Sequence, residues 1–318
     1  MSAISANQNF PALQVSGLRK RFDGPEVVKG VSFDIRAGEI FGLLGPNGAG
    51  KSTTINMIVG VTRIGGGRVA IFGFDNVRDY RITRRLTGVM HQEVVIDNFF
   101  TIDRALRIHS GYFGVDDDPA WRNMLIDRLG LRPHLDKVMI KLSGGLKRRF
   151  MVAKALIHKP KLLILDEPTA GVDVELRHSL WEFVREINAS GTSILLTTHY
   201  LEEAEQMCER VAIMNHGEIL ALERTSDLVR RWGHRELTIE LENPLAQLPP
   251  QLVALKARLD DDGRHLRLPV PAETTTGELV GRLHQLGLKI RELETRQPRL
   301  EEVFIELTGL KNGGGGQT

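Results

Sequence analysis

The sequence predicts an α/β protein with a mainly parallel central sheet, followed by a small α+β domain. Over residues 13–223, short β-rich runs alternate with longer stretches of helical periodicity, as in proteins with a parallel sheet. Residues 162–165 and 194–196 are apolar on both sides of the pleat, which indicates central strands covered by helices on both faces. After residues 228–235 apolar and polar residues alternate, so antiparallel strands are expected there.

Composition limits the function classes. The chain has 318 residues, enough for two domains, and its 42% hydrophobic and 26% charged residues exclude disordered, collagenous and coiled-coil classes. A net charge of +2 provides no chain-wide attraction to nucleic acid, so no nucleic-acid partner is expected. The single cysteine, Cys208, excludes an internal disulfide and fits a reducing compartment. No uncharged apolar run reaches the ~18 residues that a membrane span requires.

The elements of the first domain are predicted from the apolar runs and from the turn residues between them. Asn215-His216-Gly217 is typical of a hairpin turn that leads into a strand at residues 218–220. Helices are expected at residues 54–59 and 146–158. The strands are predicted at residues 31–35, 39–44, 69–72, 88–90, 162–165, 193–198 and 211–214.

The second domain shows a different pattern. Leu237, Ile239 and Leu241 alternate with polar residues, and Asp262-Gly263 divides two further strand-like runs. A short helix at residues 277–286, a strand at 288–293 and a helix with one apolar face at 300–307 complete it. We therefore expect an N-terminal tail at 1–12, a first domain at 13–225, an α+β domain at 235–308 and a flexible glycine-rich tail at 309–318.

A phosphate-binding loop is predicted between the strand at residues 39–44 and the helix that follows. Its glycines allow backbone N–H groups to surround phosphate oxygens, and the helix N-terminus adds partial positive charge. Lys51 is expected to reach the β and γ phosphates, and Ser52 to offer its hydroxyl to Mg²⁺. The loop follows the GxxxxGK[ST] pattern and comprises Gly45, Pro46, Asn47, Gly48, Ala49, Gly50, Lys51, Ser52 and Thr53.

Four further residues are candidates for the chemistry of a metal-bound triphosphate. Asp166 and Glu167 follow the most apolar strand, at the carboxyl edge where ligands collect in open α/β sheets. Asp166 is expected to hold the Mg²⁺, and Glu167 to polarise the attacking water. His199 follows the strand at residues 193–198 and could donate a hydrogen bond to the γ-phosphate or hold the water in line. Gln92 follows the short strand at 88–90 and could contact the metal and the water.

A second anion-binding helix end is predicted ahead of those acids. Leu142 and Ser143-Gly144-Gly145 precede the helix at residues 146–158, so Ser143 and both glycines could approach phosphate oxygens. With the loop, Gln92, the Leu162–Glu167 run and His199, this order of motifs resembles the nucleotide-binding domain of ABC ATPases over residues 13–223.

The resemblance implies a P-loop NTPase of the ABC type, with an N-terminal antiparallel β part and a helical signature subdomain. It also implies an ATP-driven homodimer in which Ser143, Gly144 and Gly145 of one protomer close on ATP held by the loop of the other. Asp173 matches the aspartate at that junction, and Phe22 matches the position that stacks on adenine. Within the family, the chain looks like the ATPase subunits of ABC-2 type exporters, YadG-like.

Such subunits bind a separate ABC-2 type transmembrane permease, which implies a peripheral location on the cytoplasmic side of the membrane. The segment at residues 93–108 matches the permease-docking region, where Phe99 and Phe100 are either exposed contacts or buried core. Three positions depart from the common pattern, Phe22, His91 and Leu146, and none removes a charge or donor that the chemistry needs.

Two other functions remain open at this point. A soluble ABC-type ATPase acting on DNA or ribosomes would carry a long coiled-coil insertion or two ATPase units, and neither is present. A P-loop kinase or GTPase would explain the loop but not Ser143-Gly144-Gly145, and no NKxD base-reading motif occurs. The basic clusters at residues 78–85 and 147–149 are interpreted as solvated helix faces, although the second could add positive potential behind the phosphates.

Overall fold

The computed structural model describes residues 10–92, 99–172, 174–232, 235–270, 274–296 and 298–309, with the backbone alone at 174–176 and 235. The chain divides into two compact units, Met1–Thr225 and Ser226–Thr318. The expected tails lie almost wholly outside the described residues, as does Asp173. No helix in the described part of the chain is long and apolar enough to cross a bilayer.

The strands of the first unit form two sheets. A four-stranded antiparallel sheet has the order β2-β1-β4-β5, and a six-stranded sheet has the order β10-β9-β3-β8-β7-β6. The strands are β1 (Leu13–Arg21), β2 (Glu26–Ile35), β3 (Ile40–Leu44), β4 (Gly66–Ile71), β5 (Phe74–Asp75), β6 (Thr87–Met90), β7 (Leu162–Asp166), β8 (Ser193–Thr197), β9 (Arg210–Asn215) and β10 (Glu218–Arg224).

The six-stranded sheet is parallel except at one edge. β3 pairs with β8 and β9, and β7 pairs with β6 and β8, all in parallel register. β10 pairs antiparallel with β9 through the predicted hairpin, where His216 and Gly217 both have positive φ. Because β3, β7 and β8 are buried along their whole length, the prediction of central strands is confirmed.

The helices of the first unit lie between its strands in the chain, and some of them form a helical part. Helix α5 contacts α3, α4 and β6, so it joins the helical part to the sheet. The helices are α1 (Lys51–Ile58), α2 (Tyr80–Leu86), α3 (Ile102–Tyr112), α4 (Pro119–Arg128), α5 (Gly144–Leu156), α6 (Val174–Ala189) and α7 (Leu201–Met207), with α8 (Thr225–Trp232) beginning at the end of the unit.

The predicted boundaries differ from the structure where polar residues begin an element. Helix α1 starts at Lys51 rather than at residue 54, and α5 starts at Gly144 rather than at residue 146. The prediction missed β1 altogether, because its register shifts interrupt the regular alternation of buried and exposed side chains. The antiparallel sheet that β1 forms with β2 and β4 was expected only from the family resemblance.

The second unit is a four-stranded antiparallel sheet with two longer helices. The sheet order is β12-β13-β11-β14, and Leu237, Ile239 and Leu241 of the central strand are buried as their alternation predicts. Its elements are β11 (Arg235–Leu241), α9 (Pro250–Ala254), β12 (Arg258–Leu259), β13 (His265–Val270), α10 (Thr276–Gln285), β14 (Ile290–Arg296) and α11 (Leu300–Thr308). The strand predicted at residues 288–293 therefore begins and ends later.

Candidate functional site

The predicted phosphate loop joins β3 to α1 at the carboxyl edge of the parallel sheet. Gly45 is required by close packing, since a Cβ there would lie 2.2 Å from the carbonyl oxygen of Met214. Gly48 and Gly50 have φ of +79° and +101°, the left-handed region that favours glycine. Gly50 precedes α1 without any side-chain cap, so backbone N–H groups at this helix end remain available to an anion.

Lys51 holds its ammonium group against the loop. Its Nζ donates to the carbonyl oxygens of Gly45 at 2.7 Å and Pro46 at 3.0 Å. Burial lowers the pKa of Lys51, and the facing carboxylates of Glu167 and Asp166 oppose that shift. The two acids and the lysine therefore share one electrostatic environment.

The acids lie where β7 and β8 end side by side. Asp166 Oδ1 accepts a hydrogen bond from Thr197 Oγ1 at 2.5 Å, and the backbone N–H of Glu167 donates to the same hydroxyl oxygen at 3.1 Å. Both acidic residues are buried. Glu167 also has a φ of +52°, a conformation that is unfavourable for any residue with a Cβ. Thr197 thus fixes two consecutive acids at the edge of the sheet.

The carboxylate of Glu167 lies between the side chains of Gln92 and His199. Gln92 Nε2 donates to Oε2 at 2.8 Å, and His199 Nε2 contacts Oε1. His199 remains partly exposed, whereas Glu167 is buried. The carboxylate is therefore oriented from both sides, as a proton acceptor needs to be.

The phosphate loop and the Gln92, Glu167 and His199 side chains line one cavity. Its volume is about 380 Å³, and its walls comprise loop residues 47–53 together with Gln92, Glu167 and His199. The structure thus brings the predicted loop and the predicted carboxylate, amide and imidazole to one concave surface. Such a surface can bind a polyphosphate along the loop and place a water beside a carboxylate.

Other predicted residues are not at this cavity. Phe22 is exposed just beyond β1, and Lys20 Nζ lies 4.9 Å from the centre of its ring. Ser143 and Gly144 are exposed at the start of α5, where Ser143 accepts a hydrogen bond from the N–H of Leu146 at 3.4 Å. Neither they nor Gly145 line the loop cavity. Asp173 lies outside the described residues.

The interpretation of residues 147–149 as a solvated face is wrong for both arginines of this segment. Arg148 Nη1 donates to the carbonyl oxygen of Glu167 at 3.0 Å, and Arg149 Nη1 donates to that of Leu129 at 3.2 Å. Arg148 and Thr197 are the site residues that sequence reasoning missed. Thr197 could have been found from its place two residues before His199, but nothing local in the sequence indicates the backbone contact of Arg148.

Comparison with known proteins decides the family. The family model described as ABC transporter matches residues 28–170. Over 305 residues the chain is 36% identical to the Nod factor export ATP-binding protein I of Ralstonia nicotianae, covering 94% of each chain. The chain belongs to the ABC transporter family. It is an ATP-binding subunit of the exporter type, and the family hydrolyses ATP to power transport through membrane permease partners.

Two further comparisons support this assignment. The ABC subunit is 33% identical over 310 residues to the linearmycin resistance ATP-binding protein LnrL of Bacillus subtilis, covering 93% of this chain and 98% of the relative. A solved structure of an ATP-binding subunit of an ABC transporter matches with a TM-score of 0.65 and 30% identity, covering 69% of this chain and 92% of that one. The ABC-type α/β fold is therefore confirmed.

A second, larger cavity lies beside the phosphate loop of this ABC subunit. Its volume is about 1080 Å³, and its walls include Ser52, Gln92 and Asp166, the three predicted metal ligands. Three buried polar atoms on its walls have no hydrogen-bond partner among the described residues: Asn76 Oδ1, Thr87 Oγ1 and His158 Nδ1. Its lining is otherwise largely apolar.

Proposed function

We propose that this subunit hydrolyses MgATP at the loop cavity, by in-line attack of water on the γ-phosphorus, with Glu167 as the group that polarises the water. The observation that supports this most is the placement of the Glu167 carboxylate between Gln92 and His199 on a wall of the cavity that the phosphate loop also lines. His199 and Gln92 would then orient the carboxylate and the water.

The phosphate loop supplies the binding side of the proposal. Residues from Gly45 to Thr53 would surround the phosphates with backbone N–H groups, because Gly50 leaves the N-terminus of α1 uncapped. Lys51, whose ammonium already donates to two loop carbonyls, would exchange those bonds for the more negative β and γ phosphates. Phe22 would stack on the adenine ring from its exposed position.

The donor set also fits Mg²⁺. Ser52, Gln92 and Asp166 offer oxygens of the type that magnesium prefers. Ser52 and Gln92 line both the loop cavity and the larger cavity, and Asp166 lines the larger one. We propose that they hold the ion, which would neutralise negative charge on the phosphates. Thr197 supports Asp166 in this role through their hydrogen bond of 2.5 Å.

The proposed working unit is a homodimer with shared sites. Ser143 and Gly144 are exposed at the uncovered start of α5, away from the loop cavity of their own chain. In the proposal, Ser143, Gly144 and Gly145 of one protomer close on ATP held by the loop of its partner, with Asp173 at the junction. ATP binding would then draw the protomers together, and hydrolysis would release them.

The proposed partner is an ABC-2 type permease, with the subunit bound peripherally on the cytoplasmic side of the membrane. Phe99 is 88% exposed and is the first described residue of the expected docking segment, of which residues 93–98 lie outside the described part. Aromatic side chains, phenylalanine included, are enriched at the centre of protein–protein interfaces relative to the rest of the surface. The two relatives named above are called after different compounds, Nod factor and linearmycin, so we propose that the permease selects the exported compound.

Glu167→Gln tests the catalytic assignment. The amide keeps the size of the side chain but cannot accept a proton, so turnover should fall by about 10²–10⁴ while ATP binding persists. The matched control is Glu182→Gln, at an exposed position on α6. Steady-state phosphate release and fluorescent-nucleotide titration of the full chain provide the two readouts. Unchanged turnover in Glu167→Gln would remove this residue from the role.

A further inference from the structure

We infer that Glu203 and Arg177 are positioning residues that hold the loops carrying Glu167 and His199 in fixed relation to each other and to helix α6. The inference rests on the catalytic roles proposed for Glu167 and His199. It concerns an ion pair between a partly buried arginine and a buried glutamate, and neither residue lines either of the two cavities described above.

Glu203 joins the two loops directly. Its Oε2 accepts a hydrogen bond from Thr169 Oγ1 at 2.9 Å and another from Thr198 Oγ1 at 2.6 Å. Thr169 follows Glu167 closely in the chain, and Thr198 is the residue immediately before His199. Both threonines are buried. One carboxylate oxygen therefore ties together the segments that carry the two oriented groups.

Arg177 extends this connection to the helix that follows residue 173. Its Nε lies 3.4 Å from Glu203 Oε1, an ionic contact in which neither atom makes a hydrogen bond to the described residues, and its guanidinium lies 3.9 Å from the centre of the Tyr200 ring. Its Nη2 also donates to the carbonyl oxygen of Val172 at 3.5 Å. Arg177 lies in the first turn of α6. The first turn of α6 is thus connected to the residues on both sides of His199.

The burial of Glu203 makes the arrangement sensitive to the loss of either partner. The Glu203 side chain is 7% exposed, and a buried charge without its partner is strongly destabilised. If the carboxylate moved toward water, Thr169 and Thr198 would lose their acceptor. The loops would then shift relative to each other, and a displacement of about 1 Å at reacting groups can reduce a rate by about 10².

A second ion pair in the same unit provides a matched control. Arg210 Nη1 lies 3.3 Å from Glu39 Oε2, and both side chains are buried. This pair lies beside the first residues of β3 and β9, at the amino end of the parallel strands. The phosphate loop, in contrast, follows the carboxyl end of β3. Removal of this second pair should lower stability without displacing the catalytic loops.

The test compares Glu203→Gln, Arg177→Met and the double variant with Glu39→Gln, using the full chain. We expect each variant of the first pair to lower kcat about 10–100-fold with little change in KM for ATP or in nucleotide affinity. The double variant should lose no more than the worse single variant, because the pair acts as one unit. Glu39→Gln should lower Tm yet keep kcat. Arg177 is only partly buried, so Arg177→Met retains the test if Glu203→Gln fails to fold.

Two results would overturn the inference. One is a kcat for Glu203→Gln and Arg177→Met that falls no further than that of Glu39→Gln at a similar loss of Tm. The other is strictly additive losses in the double variant. Glu167→Gln, measured in parallel, separates the two hypotheses: if it loses turnover while the Glu203 and Arg177 variants do not, only the positioning role is wrong. If Glu167→Gln retains turnover, the proposed catalytic role is itself wrong.

Discussion

Individual side chains at the edge of the parallel sheet explain how the candidate site is held together. Glu167 combines a φ of +52° with three hydrogen bonds: its N–H donates to Thr197 Oγ1, its carbonyl oxygen accepts from Arg148, and its carboxylate accepts from Gln92. An unfavourable backbone conformation persists only where surrounding contacts require it. These contacts therefore place the carboxylate at a defined point on the cavity wall before any ligand arrives.

Also at the scale of single residues, the buried side chain of His158 makes the stability of the fold depend on pH. Burial lowers the pKa of His158 to about 4, opposed by its hydrogen bond to the carbonyl oxygen of Thr87, and nearby Arg85 lowers it further. The ring also stacks on Phe113 with centroids 3.8 Å apart. Between pH 6.5 and about 4 the unfolded chain holds the proton and the folded chain does not. His158 therefore costs the fold no stability above pH 6.5, and the free energy of unfolding falls as the pH is lowered toward 4.

We expect His158→Gln to reduce this acid sensitivity, since the amide can donate to the same carbonyl oxygen without titrating. Between pH 7.5 and pH 5 the wild type should lose on the order of 2 kcal/mol more unfolding free energy of the first unit than the variant. Urea titrations at both pH values, followed by tryptophan fluorescence, measure the difference. His178→Gln, at an exposed position, should behave as wild type, and an equal pH slope in His158→Gln would contradict the assignment.

At the scale of elements, the phosphate loop is held by its fit against β9. A Cβ on Gly45 would meet the Met214 carbonyl oxygen at 2.2 Å, whereas a Cβ on Gly48 would meet no atom within 4 Å. We expect Gly45→Ala to lower the unfolding free energy by roughly 2–4 kcal/mol, because the backbone of β9 cannot move away. Gly48→Ala should cost only about 1 kcal/mol, from its positive φ. Denaturant unfolding of both variants measures the contrast, and equal losses would argue against the packing role of Gly45.

The elements that sequence could predict are those whose burial follows a regular pattern, either uniform, as in β3, or alternating, as in β11. β3, β7 and β8 are buried on both faces, so their apolar runs identify them without ambiguity. β1 could not be predicted because its register shifts interrupt the alternation. The candidate site follows the same rule: the loop and Asp166-Glu167 follow recognisable motifs, whereas Arg148 reaches Glu167 by a backbone contact across the fold that no local pattern encodes.

At the scale of the whole molecule, the exposed start of α5 decides whether one chain is sufficient. Ser143 and Gly144 are exposed and do not line the loop cavity of their own chain, although their sequence suits them to an anion. A shared site would explain why a helix end with a serine and two glycines stays uncovered. The consequence is that no single chain should complete the reaction, even with an intact loop and an intact Glu167.

Ser143→Arg tests this consequence, because a long cationic side chain at the helix end would block approach to a partner's phosphates. We expect each variant chain to bind ATP with wild-type affinity but to show no steady-state hydrolysis. Ser190→Arg adds the same charge at an exposed position at the end of α6 and should leave hydrolysis intact.

Mixing Ser143→Arg chains with Lys51→Ala chains should restore activity, since a mixed pair combines an intact loop from one chain with an intact serine from the other. Phosphate release from the mixture, compared with each variant alone, measures this recovery, and hydrolysis by Ser143→Arg alone would show that the sites are not shared.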